Sequence, residues 1–175
     1  MVELYSMMWI FALVFGFIGF LRGWNQELVA TGGLLMAMLA ILQFESFARG
    51  LLFSTLPREQ IFLIEMVVLL GITFIVYQNR ELRGVQPRAR SNLGAGVLGA
   101  LVGFVNGYLL GSSIWYLLDI NEYPFQQFIT APTVNSPSAQ NINAIPLMVG
   151  GGSGATVDVL AVIVIVMLFI VFVVL

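Results

Sequence analysis

Four glycines, Gly99, Gly103, Gly107 and Gly111, recur at every fourth position inside an uncharged apolar segment, 93–118. At about 100° per residue, Asn92, Gly96, Gly99, Gly103, Asn106, Gly107 and Ser113 fall within about 120° of one another around a helix. Glycine in a water-exposed helix costs about 1 kcal/mol relative to alanine, so a stripe of them needs a reason. A bilayer supplies one. Lipid tails are as apolar as leucine, and helices there associate where small side chains let two backbones approach. The segment reads as the packing spine of a helical membrane protein.

Composition points the same way. Of 175 residues, 59% are hydrophobic and 9% charged, with a mean hydropathy of +0.98. A soluble domain carries about 25% charged residues, so this chain cannot cover a globular surface with polar groups. A net charge of −2 implies no charged partner. The basic residues are seven arginines without a lysine, which leaves no Schiff-base chemistry and no polybasic nucleic-acid patch. There is no cysteine and no histidine. Thiolate nucleophiles, disulfides, Fe–S ligation, the commonest metal ligand and the usual general base are thereby removed. The inventory leads to the expectation of no metal, no cofactor and no nucleic-acid partner.

Along the chain, a first span is expected at about 5–21, without the basic n-region or cleavage site of a signal peptide. Ala12, Gly16, Gly19 and Gly23 lie on one side of it. The short turn Arg22–Glu27 sends a second span, 28–44, back antiparallel. Ala30, Gly33, Ala37 and Ala40 form its small face, which predicts a close hairpin of the first two helices. Residues 44–60 mix aromatic and charged residues and suit a segment lying in the membrane interface. A third span, 61–77, contains Glu65, and a basic segment, 78–92, leads to the glycine helix, 95–118. Residues 120–154, rich in Pro, Gly, Asn and Gln, read as a loop. Its interleaved Tyr123, Phe125, Phe128, Ile145 and Leu147 predict that it lies back on the membrane or on a partner. A fifth span is expected at 155–175. The predicted architecture is an all-α integral membrane protein: a four-helix bundle packed through small residues, 1–119, plus a C-terminal fifth transmembrane helix.

Arginine counting gives an orientation. Arg22, Arg80, Arg83, Arg88 and Arg90 share one side, and Arg49 and Arg58 the other. Five against two places the first set in the cytoplasm, the N-terminus and the 120–154 loop outside, and the C-terminus inside.

The segment Arg22-Gly-x-x-x-Glu27, closing a first membrane helix, resembles the R-G-x-x-x-E turn of the bacterial colicin V production protein family. Gly99-Ala-Leu-Val-Gly103 is similar to that family's G-A-L-x-G element in its fourth helix, and the order of parts agrees over about residues 5–118. The chain differs from the family pattern at Gln26, and at Ser91 and Asn92, where members carry basic residues. Its 120–154 loop and fifth span lie beyond the family's four-helix unit. The resemblance implies a bacterial inner-membrane protein linked to toxin production and envelope homeostasis, with no established catalytic residues.

Few residues are candidates for function. Arg22 and Glu27, with Gly23 between them, read as an ion pair bracing a tight turn, worth about 0–1 kcal/mol if exposed; alternatively Arg22 meets a lipid phosphate or a partner carboxylate. Glu65 reads as the one acid well inside a span, near enough to an end to pair with Arg58 or Arg49, and intramembrane carboxylates are functional candidates by default. Asn106, on the glycine face, is expected to hydrogen-bond a neighbouring helix. No P-loop or dinucleotide fingerprint is present. The leading expectation is a non-enzymatic scaffold or accessory subunit in contact with lipid and other membrane subunits, with Ala12, Gly16, Gly19, Gly99, Gly103, Asn106 and Gly107 as helix-packing residues. The alternative is a small transporter or channel using Glu65 and Asn106 as its polar path. A lipid-acting enzyme comes third, for want of His, Cys and Lys.

Overall fold

A computed structural model describes residues 3–51, 56–78, 93–150 and 163–166, with the side chains of 44–51 and 150 left aside. All regular structure among the described residues is helical. Among the described residues four helices are long and apolar enough to cross a membrane: α1 (Leu4–Arg22), α2 (Trp24–Leu51), α3 (Arg58–Gln78) and α4 (Leu93–Ile120). At 1.5 Å per residue, α4 is about 42 Å long, more than the roughly 30 Å hydrocarbon layer. Arg22 at the end of α1 reaches the Tyr77 carbonyl at the end of α3, and Arg58 at the start of α3 pairs with Glu122 just past α4. Hence α1 and α3 run one way, α2 and α4 the other.

The α1–α4 interface dominates the bundle. Each glycine of the α4 series meets backbone of α1. A Cβ at Gly99 would lie 2.9 Å from the Gly23 Cα, one at Gly103 3.0 Å from the Gly19 Cα, and one at Gly107 2.8 Å from the Ala12 Cα. At Gly111 it would lie 3.1 Å from the Met8 Cα. On α1 the matching face is Met8, Ala12, Gly16 and Gly19, all buried. Two small stripes thus face each other over the full length of α1.

This corrects the expected hairpin. α1 scarcely touches α2; α4 lies between them, and α2 packs in turn against α3, where a Cβ at Gly33 would run into the Val76 side chain. The turn is also tighter than the sequence suggested. Gly23 alone separates α1 from α2, and residues from Trp24 onward, Glu27 included, are already helical. Gly23 holds φ 88° and ψ 159°, a backbone region open in practice to glycine alone, while its N–H closes α1 on the Gly19 carbonyl at 2.8 Å. α2 then continues as helix past Phe44, so no separate interfacial segment begins there.

Residues after α4 form a cap over the end of the bundle. Ser136 caps the short helix α5 (Pro137–Asn141) by accepting from the Ala139 N–H at 3.2 Å, with Pro137 in the first turn. A 3-10 turn (Ile142–Ala144) leads to α6 (Pro146–Gly150). Tyr123, Ile145 and Leu147 are buried in one core with Leu34, Met38, Trp115 and Leu117. Of the residues expected to lie on the membrane or on a partner, Tyr123, Ile145 and Leu147 cover the bundle itself, while Phe128 stays 85% exposed. Ser138 fastens the cap to the start of α1, donating to Glu3 at 2.6 Å and accepting from the Tyr5 N–H at 3.1 Å. Of the expected fifth span, only the helical turn 163–166 is described, with Val164 in the core. The basic segment 79–92, and with it Arg80, Arg83, Arg88, Arg90 and Asn92, lies outside the described residues.

Because Gly103 sits on the Gly19 backbone, a leucine there has no flexible neighbour to displace. Gly103→Leu is expected to cost about 1–3 kcal/mol or more, seen as a lower unfolding temperature in detergent. Leu101→Ala, on a surface 61% exposed, should leave that temperature unchanged. Equal melting of Gly103→Leu and the parent chain would mean that α1 does not lie on this seam.

Candidate functional site

The polar centre of the bundle is a carboxylate in its interior. Glu27 is fully buried, one turn into α2. Arg22, the last residue of α1, donates from Nη1 to its Oε1 at 2.6 Å. The other oxygen, Oε2, accepts from the Tyr77 hydroxyl at 3.0 Å and from Asn106 Nδ2 at 2.9 Å. All four long helices therefore converge on one side chain. The Arg22 guanidinium also lies 4.4 Å from the centre of the Tyr77 ring, a cation–π contact worth about 0.5–2 kcal/mol.

Asn106 is as buried as Glu27. Its Nδ2 also donates to the Glu27 backbone carbonyl at 3.1 Å, and its Oδ1 lies 2.6 Å from the Thr31 hydroxyl. Thr31 is one turn beyond Glu27, with its Oγ1 2.9 Å from the same carbonyl. A hydroxyl has one proton, so Thr31 donates chiefly to the nearer Oδ1. The carboxylate fixes the amide orientation. Reversing Asn106 would turn its oxygen toward Glu27 Oε2 and set two acceptors against each other.

The ion pair read at the Arg22–Glu27 turn is present, but it is not an exposed one. The acid is wholly inside and the arginine side chain only 18% exposed. An ion pair here does not follow the surface rule of about 0–1 kcal/mol. Its worth lies in what its loss would strand, because removing one partner of a buried pair costs about 3–5 kcal/mol.

Glu65 is likewise not the only acid inside a span. It is buried on α3 and accepts from Asn121 Nδ2 at 2.7 Å, while the same amide also donates to the Leu117 carbonyl at 2.8 Å. Arg58, one of its expected partners, pairs instead with Glu122 at the surface; the Arg49 side chain is outside the description. Glu65 and Asn106 belong to separate networks. Asn121 follows Asn106 by fifteen residues, about 22 Å along the helix axis.

Tyr77 and Thr31 were not singled out from sequence. A signal for Thr31 existed: Glu27, Ala30, Thr31 and Leu34 share one helical face, and all four are buried. Tyr77 had none, since a tyrosine closing a span is ordinary at a membrane interface.

Chemically the cluster is closed. Both Glu27 oxygens are occupied by donors from the same chain, and no thiol, imidazole or amine adjoins them. No group of three His, Cys, Asp or Glu suited to a metal occurs among the described residues. The arrangement ties the four long helices together at one carboxylate. The chain matches no protein-family model, no curated protein and no solved structure.

Glu27→Ala leaves Arg22 and Asn106 facing an empty site and is expected to cost about 3–5 kcal/mol. Replacing both charges, Arg22→Leu with Glu27→Leu, should recover part of the loss of either single change, giving a coupling of about 0.5–3 kcal/mol. Thermal unfolding of the four proteins in detergent measures it. Strictly additive losses would show that the two charges do not stabilise one another.

Proposed function

We propose that this chain is a non-enzymatic scaffold or accessory subunit of a membrane assembly in the bacterial cytoplasmic membrane, a role in keeping with its resemblance to the colicin V production family. The observation that carries this reading is the closure of the Glu27 cluster. A charge buried among four helices, with both oxygens met by in-chain donors, serves to set one arrangement of helices. A transport path needs polar groups that can exchange partners with a cargo, and of the two that would form one, Glu65 is bonded to Asn121, which lies about 22 Å along the helix axis from Asn106. The outer surfaces support a partner-binding role. Leu13 and Phe17 on α1, Val67 and Phe74 on α3, and Leu101 on α4 are each more than 60% exposed, which suits contact with lipid and with other membrane helices.

In the proposed orientation the arginine-rich end, with Arg22 and the 78–92 segment, faces the cytoplasm, and the cap faces outward. The chain has no cysteine, so single introduced thiols report sidedness. Val134→Cys, at a position 89% exposed in the cap, should react with an impermeant maleimide on intact cells, and Arg83→Cys only after lysis. The reverse pattern would overturn the orientation. The role itself is tested by purification in mild detergent, where a stoichiometric membrane partner is expected. Ion flux through the purified chain alone in liposomes, abolished by Glu65→Gln, would replace the scaffold reading with a channel.

A further inference from the structure

At the end of the bundle remote from Glu27, two cavities adjoin. One, of about 340 Å³, lies between α1 and α3 over α4, with Met7 and Phe11 on one wall, Phe62 and Met66 on the other, and Gly111 and Trp115 below. The second, of about 670 Å³, is lined by Arg58, Glu59, Asn121, Glu122, Gln126 and Gln127. Phe128, 85% exposed, borders both. Phe62 of the first meets Phe125 of the second edge to face, with ring centres 5.8 Å apart.

The two differ in chemistry, and one helix joins them. Arg58, Phe62 and Met66 follow one another at intervals of four on α3, a single stripe about 12 Å long that descends from charged to apolar. Among the described residues the lining of the first cavity contains no charged residue, and it lies within the first turns of α1 and α3 and the last turns of α4, inside the apolar layer. The second sits at the helix ends, where headgroups lie. Among the described residues its charged lining is one guanidinium and two carboxylates, Arg58 against Glu59 and Glu122, a sum of −1. The Arg58–Glu122 pair is solvent-facing, at 52% and 70% exposure, and an exposed pair exchanges partners readily.

We propose that the two cavities form one site for a zwitterionic aminophospholipid drawn from the leaflet on this side. An acyl chain occupies the apolar cavity, the phosphate meets the planar donor fork of Arg58, and the ammonium meets Glu59 and Glu122. Phe128 lies where head and tail join. The charge sum selects the headgroup, because an anionic lipid adds a negative charge to a lining already at −1 and offers the two carboxylates no partner. Both volumes fall in the range of about 300–1,000 Å³ usual for ligand sites. The proposal requires that the helices span a bilayer and is independent of the accessory-subunit reading.

The full chain, in mild detergent supplemented with equimolar palmitoyl-oleoyl phosphatidylethanolamine and phosphatidylglycerol, tests this by native mass spectrometry. One retained phosphatidylethanolamine per chain is expected, favoured over phosphatidylglycerol by about tenfold. Arg58→Gln should weaken that retention, and Met66→Trp, which fills the apolar cavity, should abolish it with the unfolding temperature preserved. Met7→Trp fills the cavity from the opposite wall and stands in should Met66→Trp fail to fold. Equal retention of the two lipids, preference for phosphatidylglycerol, or retention unaltered by a folded tryptophan variant would each overturn the site.

Discussion

The close approach of α1 and α4 governs the rest of this bundle. Backbone meets backbone from Gly99 on Gly23 to Gly111 on Met8, a contact only small residues permit. In a membrane it replaces the hydrophobic force that drives helices together in water. Its consequence is positional. With α4 against the small face of α1, α2 cannot occupy that face, although a single residue joins it to α1. It packs on another face of α4, and α3 packs on α2 and comes back beside α1, where Tyr77 meets Phe15 and Arg22.

That placement creates the polar centre. Gly23 ends α1 and lets α2 begin at once, so a residue one turn into α2 already faces α4. A carboxylate there is surrounded by protein on every side and cannot reach headgroup or water. Burial of an unpaired charge costs several kcal/mol even after relaxation, and the sequence offsets it with donors from α1, α3 and α4. The pairing adds little net stability beyond an apolar packing of equal volume, as buried ion pairs generally do. It contributes selectivity of arrangement: sliding α4 by one turn would move Asn106 by about 5.4 Å and leave Glu27 short of a donor. The glycine stripe repeats every turn and tolerates such a slip; the Glu27 cluster does not.

Legibility of the sequence divides along the same line. The stripes at Ala12, Gly16 and Gly19 and at Gly99, Gly103 and Gly107 declared close helix approach, and the four long helices followed from apolar length. Which stripe meets which is a tertiary fact that periodicity does not carry, and chain adjacency suggested the wrong partner for α1. Central placement of α4 was also hidden. Its glycine face meets α1, while Leu109, Leu110 and Leu117 are buried in the core, so the helix is apolar all round and shows no polar side to read. Arg22, Glu27 and Asn106 were each noticed, yet their union was not, because residues 79 positions apart share no local pattern. The weight given to Glu65 over Glu27 came from distance along the chain to the nearest span end, and a one-residue connection such as Gly23 removes that distance as a measure of depth.

The two ends of the bundle close by different physics. At the Glu27 end, directed donors hold the helices and every member has one permitted position. At the other end, the cap closes by apolar burial of Tyr123, Ile145 and Leu147, beside the buried bond from Asn121 to Glu65 and the Ser138 fastening to α1. Two successive left-handed residues, Glu122 and Tyr123 at φ 55° and 53°, turn the chain out of α4, a conformation that costs non-glycine residues about 1–2 kcal/mol each. Tyr123 offsets part of it: its ring is buried and its hydroxyl donates to Asp119 at 3.1 Å. Burial also raises the pKa of that phenol above its ordinary value, which keeps the proton in place for the bond. The cavities beside Phe62 and Phe128 lie at this end, where the bundle can accept an apolar guest without breaking a bond that holds its helices in register.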